Sequence, residues 1–195
     1  MPQVSVRDMI FEAGQAEFHE RGYTATGIAA ITARAAAHKG SFYNHFASKE
    51  DLAVEALRAY AARQHLDILQ DADLEPIERV RTHFEVLART MANSPVINGC
   101  MLANFAAESS DETPLLREQI AGIYGAWSAL IAENIQSAAR ATGLAGVDGA
   151  ALAWTLLDGF QGAALRARAT RSGASLENFL EATLPLVLST VTSSP

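Results

Sequence analysis

Apolar positions recur along most of the chain at spacings of three and four, the period of an amphipathic helix. In the first 21 residues Ile10, Ala13, Gly14 and Phe18 form one stripe, and Gly22 closes the segment. Ile28 and Ile31 mark a short second helix over 27–35, and a third covers 39–46. Ser48 followed by "KED" reads as an N-cap with Asp51 at N3, opening a fourth helix that is expected to run to about 70. "DADLEP" breaks it. Ile77, Val80, Phe84, Leu87, Ala88 and Met91 give a fifth helix over 76–93, and "NSPVING" interrupts again. A sixth covers about 100–109. Pro114 opens a seventh to about 140, at a tolerated first-turn position. An eighth spans 148–171 and a ninth 176–190, and the closing "TSSP" is expected to be loose. β-branched runs are absent, so the pattern predicts an all-α chain of about nine helices.

The eighth segment, "DGAALAWTLLDGFQGAALRARA", is apolar or small on several faces. Such a helix needs cover on more than one side. In a chain of 195 residues that points to a second subunit. Hydrophobic residues make up 49%, enough for a substantial core. The net charge is −7, but it is uneven. The first 50 residues hold five Lys/Arg, five Asp/Glu and three of the five histidines, while the rest holds ten against seventeen. A neutral front and an acidic rear suggest two tasks. The lone Cys100 excludes an intrachain disulfide and suits a reducing compartment. With no leader-like opening and no apolar run of membrane-spanning length, the expectation is a cytoplasmic chain without a membrane partner.

The second and third helices are separated only by Ala36–His38, the spacing of a helix-turn-helix. In that motif the second helix enters the major groove of double-stranded DNA with its N-terminal residues toward base edges. Phe42 and Phe46 share a face suited to the core. His38, Lys39 and Ser41 lie at the helix start, and Tyr43 is four residues beyond Lys39 on the exposed side. Lys49 stands in the first turn of the fourth helix, where the dipole disfavours a cation unless an anion arrives.

Residues 7–52 resemble the DNA-binding domain of the TetR family of bacterial transcriptional regulators. The resemblance rests on Arg7, Ile10, Phe18, "ERGY" (20–23), Thr26, Ile31, "KGSFYNHF" (39–46) and "SKE" (48–50). It implies a homodimeric repressor with a helix-turn-helix domain over 1–48 and a ligand-binding and dimerisation domain over 49–195. It further implies a palindromic operator and release by a small-molecule effector. His38, Lys39 and Ser41 then correspond to base-facing positions. Gly40 corresponds to a close backbone approach, and Thr26, Tyr43, His45 and Lys49 to phosphate contacts. Three positions depart from the family pattern: Ala36 stands where a turn glycine is usual, His38 where a capping serine is common, and Glu17 where an apolar residue is usual.

The stretch "NGCMLANFAAESSDETPLLREQI" (98–120), with "ARATRSGASLENFL" (167–180), resembles a NemR-like, electrophile-responsive subgroup of that family. There a cysteine senses reactive molecules, and a lysine stands where this chain has Arg168. Cys100, predicted to open a helix, is placed where the dipole favours thiolate. The same residue equally suits a small buried hydrophobe. The alternative is an ordinary noncovalent apolar effector with no cysteine sensing. Its lining would come from Phe84, Met91, Met101, Phe105, Tyr124, Trp127, Trp154 and Phe160, with Asn104, Gln161 and His65 as polar members. The sensor candidates are thus Cys100, Asn104, Phe105, Trp127 and Gln161. A third possibility is a helical interaction module that does not bind DNA. No enzyme or metal-ligand motif is present, so neither catalysis nor a cofactor is expected.

Overall fold

The computed structural model describes residues 5–192, which are helical with no strand among them. The expected loose tail falls, from Ser193 on, outside the described residues. No helix among the described residues is long and apolar enough to cross a membrane.

The helices are α1 (Val6–Arg21), α2 (Ile28–Arg34), α3 (Lys39–Tyr43), α4 (Lys49–Ala61), α5 (Pro76–Ala92), α6 (Met101–Glu108), α7 (Pro114–Thr142), α8 (Gly149–Thr170), α9 (Ala174–Asn178) and α10 (Leu184–Thr192). Two compact units emerge. The first holds the chain up to Ala61 together with Met101–Gly122, and the second holds Ala62–Cys100 and the chain from Ile123 on. The first unit therefore reaches past position 48, through the rest of α4, and takes in α6 and the start of α7.

In the first unit α1 packs against α2, α3 and α4, and α4 packs against α6. Ser5 caps α1, its hydroxyl accepting from the Asp8 N–H. Ile10, Phe18, Ile31, Phe42, Leu52 and Leu57 form its sealed core. Burying each such side chain is worth about 1.5–3 kcal/mol. Ser48 caps α4 as expected, accepting from the Asp51 N–H at 3.0 Å. Arg7 ties α1 to α4 through Glu55 at 2.6 Å and lies over the Phe46 ring at 5.0 Å.

The second unit is built on an aromatic cluster. Phe84 of α5 meets Phe160 of α8 and Phe179, with ring centroids 5.4 and 5.3 Å apart, and Trp127 of α7 closes the group. Gly149 has a structural reason: a Cβ there would stand 2.8 Å from the Ala132 carbonyl oxygen, so α7 and α8 cross backbone to backbone.

Three elements differ from the pattern. The third helix ends at Tyr43 rather than at 46, although Phe46 is still buried. The fourth helix stops at Ala61. A 3-10 turn, Leu66–Gln70, follows a left-handed His65 at φ 52°. Local sequence offers no breaker there. The break serves distant partners: the His65 carbonyl accepts from the His83 ring at 3.1 Å, and the Leu69 carbonyl from the Asn134 side chain at 2.9 Å. The ninth helix is split by a π segment, Phe179–Thr183, between α9 and α10. Pro185, which lacks an N–H, sits in the first turn of α10, where it does least harm.

Candidate nucleic-acid interface

The start of the chain presents α3 by burying one side of it. Phe42 and Phe46 are sealed in the core and pack on each other at 5.7 Å. Their burial turns His38, Lys39, Gly40, Tyr43 and His45 outward, with Ser41 half-buried between them. Tyr43 is 53% exposed, far more than a core aromatic would be. A Cβ added to Gly40 would meet nothing within 4 Å, and its φ is not positive. Nothing among the described residues requires glycine there. Between Glu20 and Glu50 the sequence holds no carboxylate side chain, although the whole chain is acidic. The exposed side of α3 thus offers cations, a phenol and imidazoles with no carboxylate in its own stretch of sequence, the chemistry that suits an anionic groove.

The turn before α3 answers the question raised by Ala36. α2 ends in a Schellman arrangement: the Ala37 N–H donates to the Thr32 carbonyl at 2.9 Å and the Ala36 N–H to the Ala33 carbonyl at 3.1 Å. Ala36 holds the left-handed place at φ 50°. It keeps the glycine geometry and carries the strain of a Cβ there, about 1–2 kcal/mol. His38 caps α3 without a side-chain hydrogen bond, as expected. The departure at Glu17 is resolved by pairing. Its carboxylate is buried and meets Arg34 at 3.1 Å and Arg21 at 3.2 Å, while Arg34 also grips Glu20. Arg34 is thereby committed to joining α1 and α2, and its guanidinium is held protonated above its ordinary range by Glu20 and then Glu17.

Two residues expected at phosphates, Thr26 and Lys49, make internal hydrogen bonds in the described structure. Thr26 is 1% exposed, and its hydroxyl donates inward to the Gly22 carbonyl at 2.7 Å and the Glu17 carbonyl at 3.1 Å. The C-terminal carbonyls of α1 need donors, and this hydroxyl supplies one. Lys49 donates through Nζ to the carbonyls of Tyr23 at 3.0 Å and Thr26 at 3.1 Å, and lies 4.1 Å above the Tyr23 ring. Burial pulls its pKa below the ordinary lysine value. The cation at the start of α4 thus has internal acceptors in the described structure.

The five sensor candidates do not fall in one unit. Phe105 belongs to the first, where it is sealed against Phe18 at 5.6 Å and Tyr23 at 5.9 Å, and Asn104 beside it is buried. Cys100, Trp127 and Gln161 belong to the second. Trp127 is core: its indole N–H donates to His83 Nε2 at 2.8 Å. His83, which the sequence reading does not single out, is fully buried. Because Nε2 accepts, Nδ1 carries the proton and donates to the His65 carbonyl. Burial drives the ring's pKa down to about 4, so it is neutral. Gln161 is 8% exposed, and neither amide atom has a hydrogen-bond partner in the described structure. Cys100 is 1% exposed. Gly99 before it turns left-handed at φ 72° and backs onto α8, where a Cβ would stand 3.2 Å from Arg168 Cβ. Burial raises the pKa of Tyr124, with smaller contributions from Cys100 and Asp158.

Comparison with known proteins agrees with this geometry. A model described as bacterial regulatory proteins, tetR family, matches residues 10–56, and one described as tetracyclin repressor-like, C-terminal domain, matches residues 76–183. The HTH-type transcriptional repressor DhaR of Mycobacterium sp. (strain GP1) is 33% identical over 194 residues, spanning 95% of this chain and 96% of that protein. The crystal structure of a regulatory protein TetR from Rhodobacter sphaeroides superposes with a TM-score of 0.82 at 28% identity, over 92% of this chain and 97% of its own. The reduced form of Escherichia coli NemR superposes with a TM-score of 0.81 at 26% identity, over 97% and 98%. Two family models that together span most of the chain, and a repressor 33% identical over nearly its whole length, place it: the chain belongs to the TetR family of DNA-binding transcriptional regulators.

Proposed function

We propose that the chain is an effector-responsive repressor that binds a palindromic operator as a homodimer, one α3 in each half-site. The one-sided exposure of α3 carries this reading. Lys39, His38 and Ser41 address base edges; Tyr43 and His45 address phosphates; Gly40 lets the backbone approach. The repressor sense follows the similar DhaR, a transcriptional repressor. The dimer reading is supported by one face of α8 and α10: Trp154 and Leu165 are partly exposed, Leu186 is 71% exposed, and Gly162 has open space where a Cβ would be. Gel shift on the tightest duplex selected by the chain from random sequence tests the claim. A shift that weakens steeply with salt is expected. Absence of a shift at low salt would leave only the interaction-module reading.

The effector is taken up noncovalently by the C-terminal domain, with Gln161 as its polar anchor. A buried amide with both polar atoms unmatched costs free energy until a ligand or water satisfies it. Modification of Cys100 is the second reading, favoured by the Arg168 side chain beside the Gly99 turn, where a cation favours thiolate. N-ethylmaleimide applied to the DNA complex of wild type and Cys100→Ser separates the two. Release from wild type alone supports cysteine sensing, and equal behaviour of both proteins removes it.

A further inference from the structure

We propose that Glu108 is a positioning residue for DNA binding: its carboxylate, at the C-terminal end of α6, latches the α1–α2 turn and so sets where α2 and α3 stand. The proposal goes beyond the contacts assigned to α3, and all its parts lie in the first unit.

Within the turn Gly22–Gly27 the ties come from Thr26: its hydroxyl donates to the Gly22 carbonyl at 2.7 Å and its N–H to the Tyr23 carbonyl at a long 3.3 Å. The Thr24 N–H is satisfied from outside the turn, donating to Glu108 Oε2 at 2.7 Å across 84 positions of sequence. Gly22 makes room for this. A Cβ there would lie 2.1 Å from Glu108 Oε1, and its φ of 87° also calls for glycine. Phe105, one helical turn before Glu108, seats the same helix against Phe18 and Tyr23. From the other side Lys49 holds the carbonyls of Tyr23 and Thr26. The turn is therefore gripped twice, a carboxylate on its amide and an ammonium on its carbonyls, and the two grips attract each other.

The helix end does not itself favour this carboxylate; its partners are the Thr24 N–H and Lys49. A carboxylate at a helix C-terminus faces the negative end of the dipole. It also adds negative charge to the unit that must approach DNA. If Glu108 had no role in positioning, neutralising it would tighten binding to DNA.

That gives the test a sign. Binding to the tightest duplex selected by wild type from random sequence is measured at fixed salt for wild type, E108A, E108D and E108Q. E108D keeps the charge but is one methylene short of Thr24. E108Q loses the charge and keeps an acceptor within reach. The latch predicts about tenfold weaker binding for E108A and E108D, equivalent to about 1.4 kcal/mol, and E108Q within about twofold of wild type. It also predicts faster hydrogen exchange at the Thr24 amide in E108A and E108D, with core amides of α1 unchanged. Tighter binding by E108A and E108Q together, or an E108D equal to wild type, would overturn it. Should E108A not fold, the E108D and E108Q pair decides alone. A wild type that selects no duplex overturns the DNA-binding reading instead, and is thereby told apart from failure of the latch.

Discussion

His83 is held neutral with a pKa of about 4, against about 6.5 in an unfolded chain. Above pH 6.5 the ring is neutral in both states and its packing is intact. Between 6.5 and 4 the unfolded state binds the proton and the folded state does not, so stability falls as pH falls. Urea unfolding at pH 7.5 and pH 5 should differ by about 2 kcal/mol through this group, and His83→Gln should shrink that difference. An unchanged difference would show that other groups govern acid unfolding. Ala36 makes the opposite prediction. Held left-handed at φ 50°, it should give way to glycine with a gain of about 1 kcal/mol, read as a higher midpoint in thermal unfolding. Loss of stability in Ala36→Gly would mean that the turn bears no strain.

At the scale of elements, α3 trades internal stability for reach. Gly40 has open space around it, and glycine is a poor helix former. Gly40→Ala should leave the thermal midpoint unchanged or raised and still weaken DNA binding about tenfold, the size of effect that about 1.4 kcal/mol produces. Thermal melts beside a gel-shift titration check both halves, and equal affinity would remove Gly40 from the interface. The placing of α3 was legible in the sequence because it is local: Phe42 and Phe46 four apart, a capping Ser48, and short spacing between helices. The early stop of α4 was not legible, since it depends on His83 and Asn134 binding carbonyls of a turn that lies distant from both in the chain. The internal acceptors of Lys49 were hidden for a related reason: its position in the first turn of α4 is local, while the carbonyls it meets lie on the α1–α2 turn. Periodicity reports which face is buried, but not which distant carbonyl needs a donor.

Over the whole molecule the account requires two copies. The exposed apolar face of α8 and α10 has no partner within the described chain, and a symmetric interface would count each substitution twice. Leu186→Glu should therefore shift sedimentation from dimer to monomer and weaken operator binding; a persistent dimer would place the interface elsewhere. The central claim is that the outward face of α3 reads DNA in two symmetric half-sites. Sequencing the duplexes selected from random sequence by wild type and by Lys39→Ala tests it most directly. The account predicts an inverted repeat, with half-sites about one helical turn apart or a multiple of it, whose base preference relaxes in Lys39→Ala. Enrichment of no repeat, or the same preference in both proteins, would contradict it.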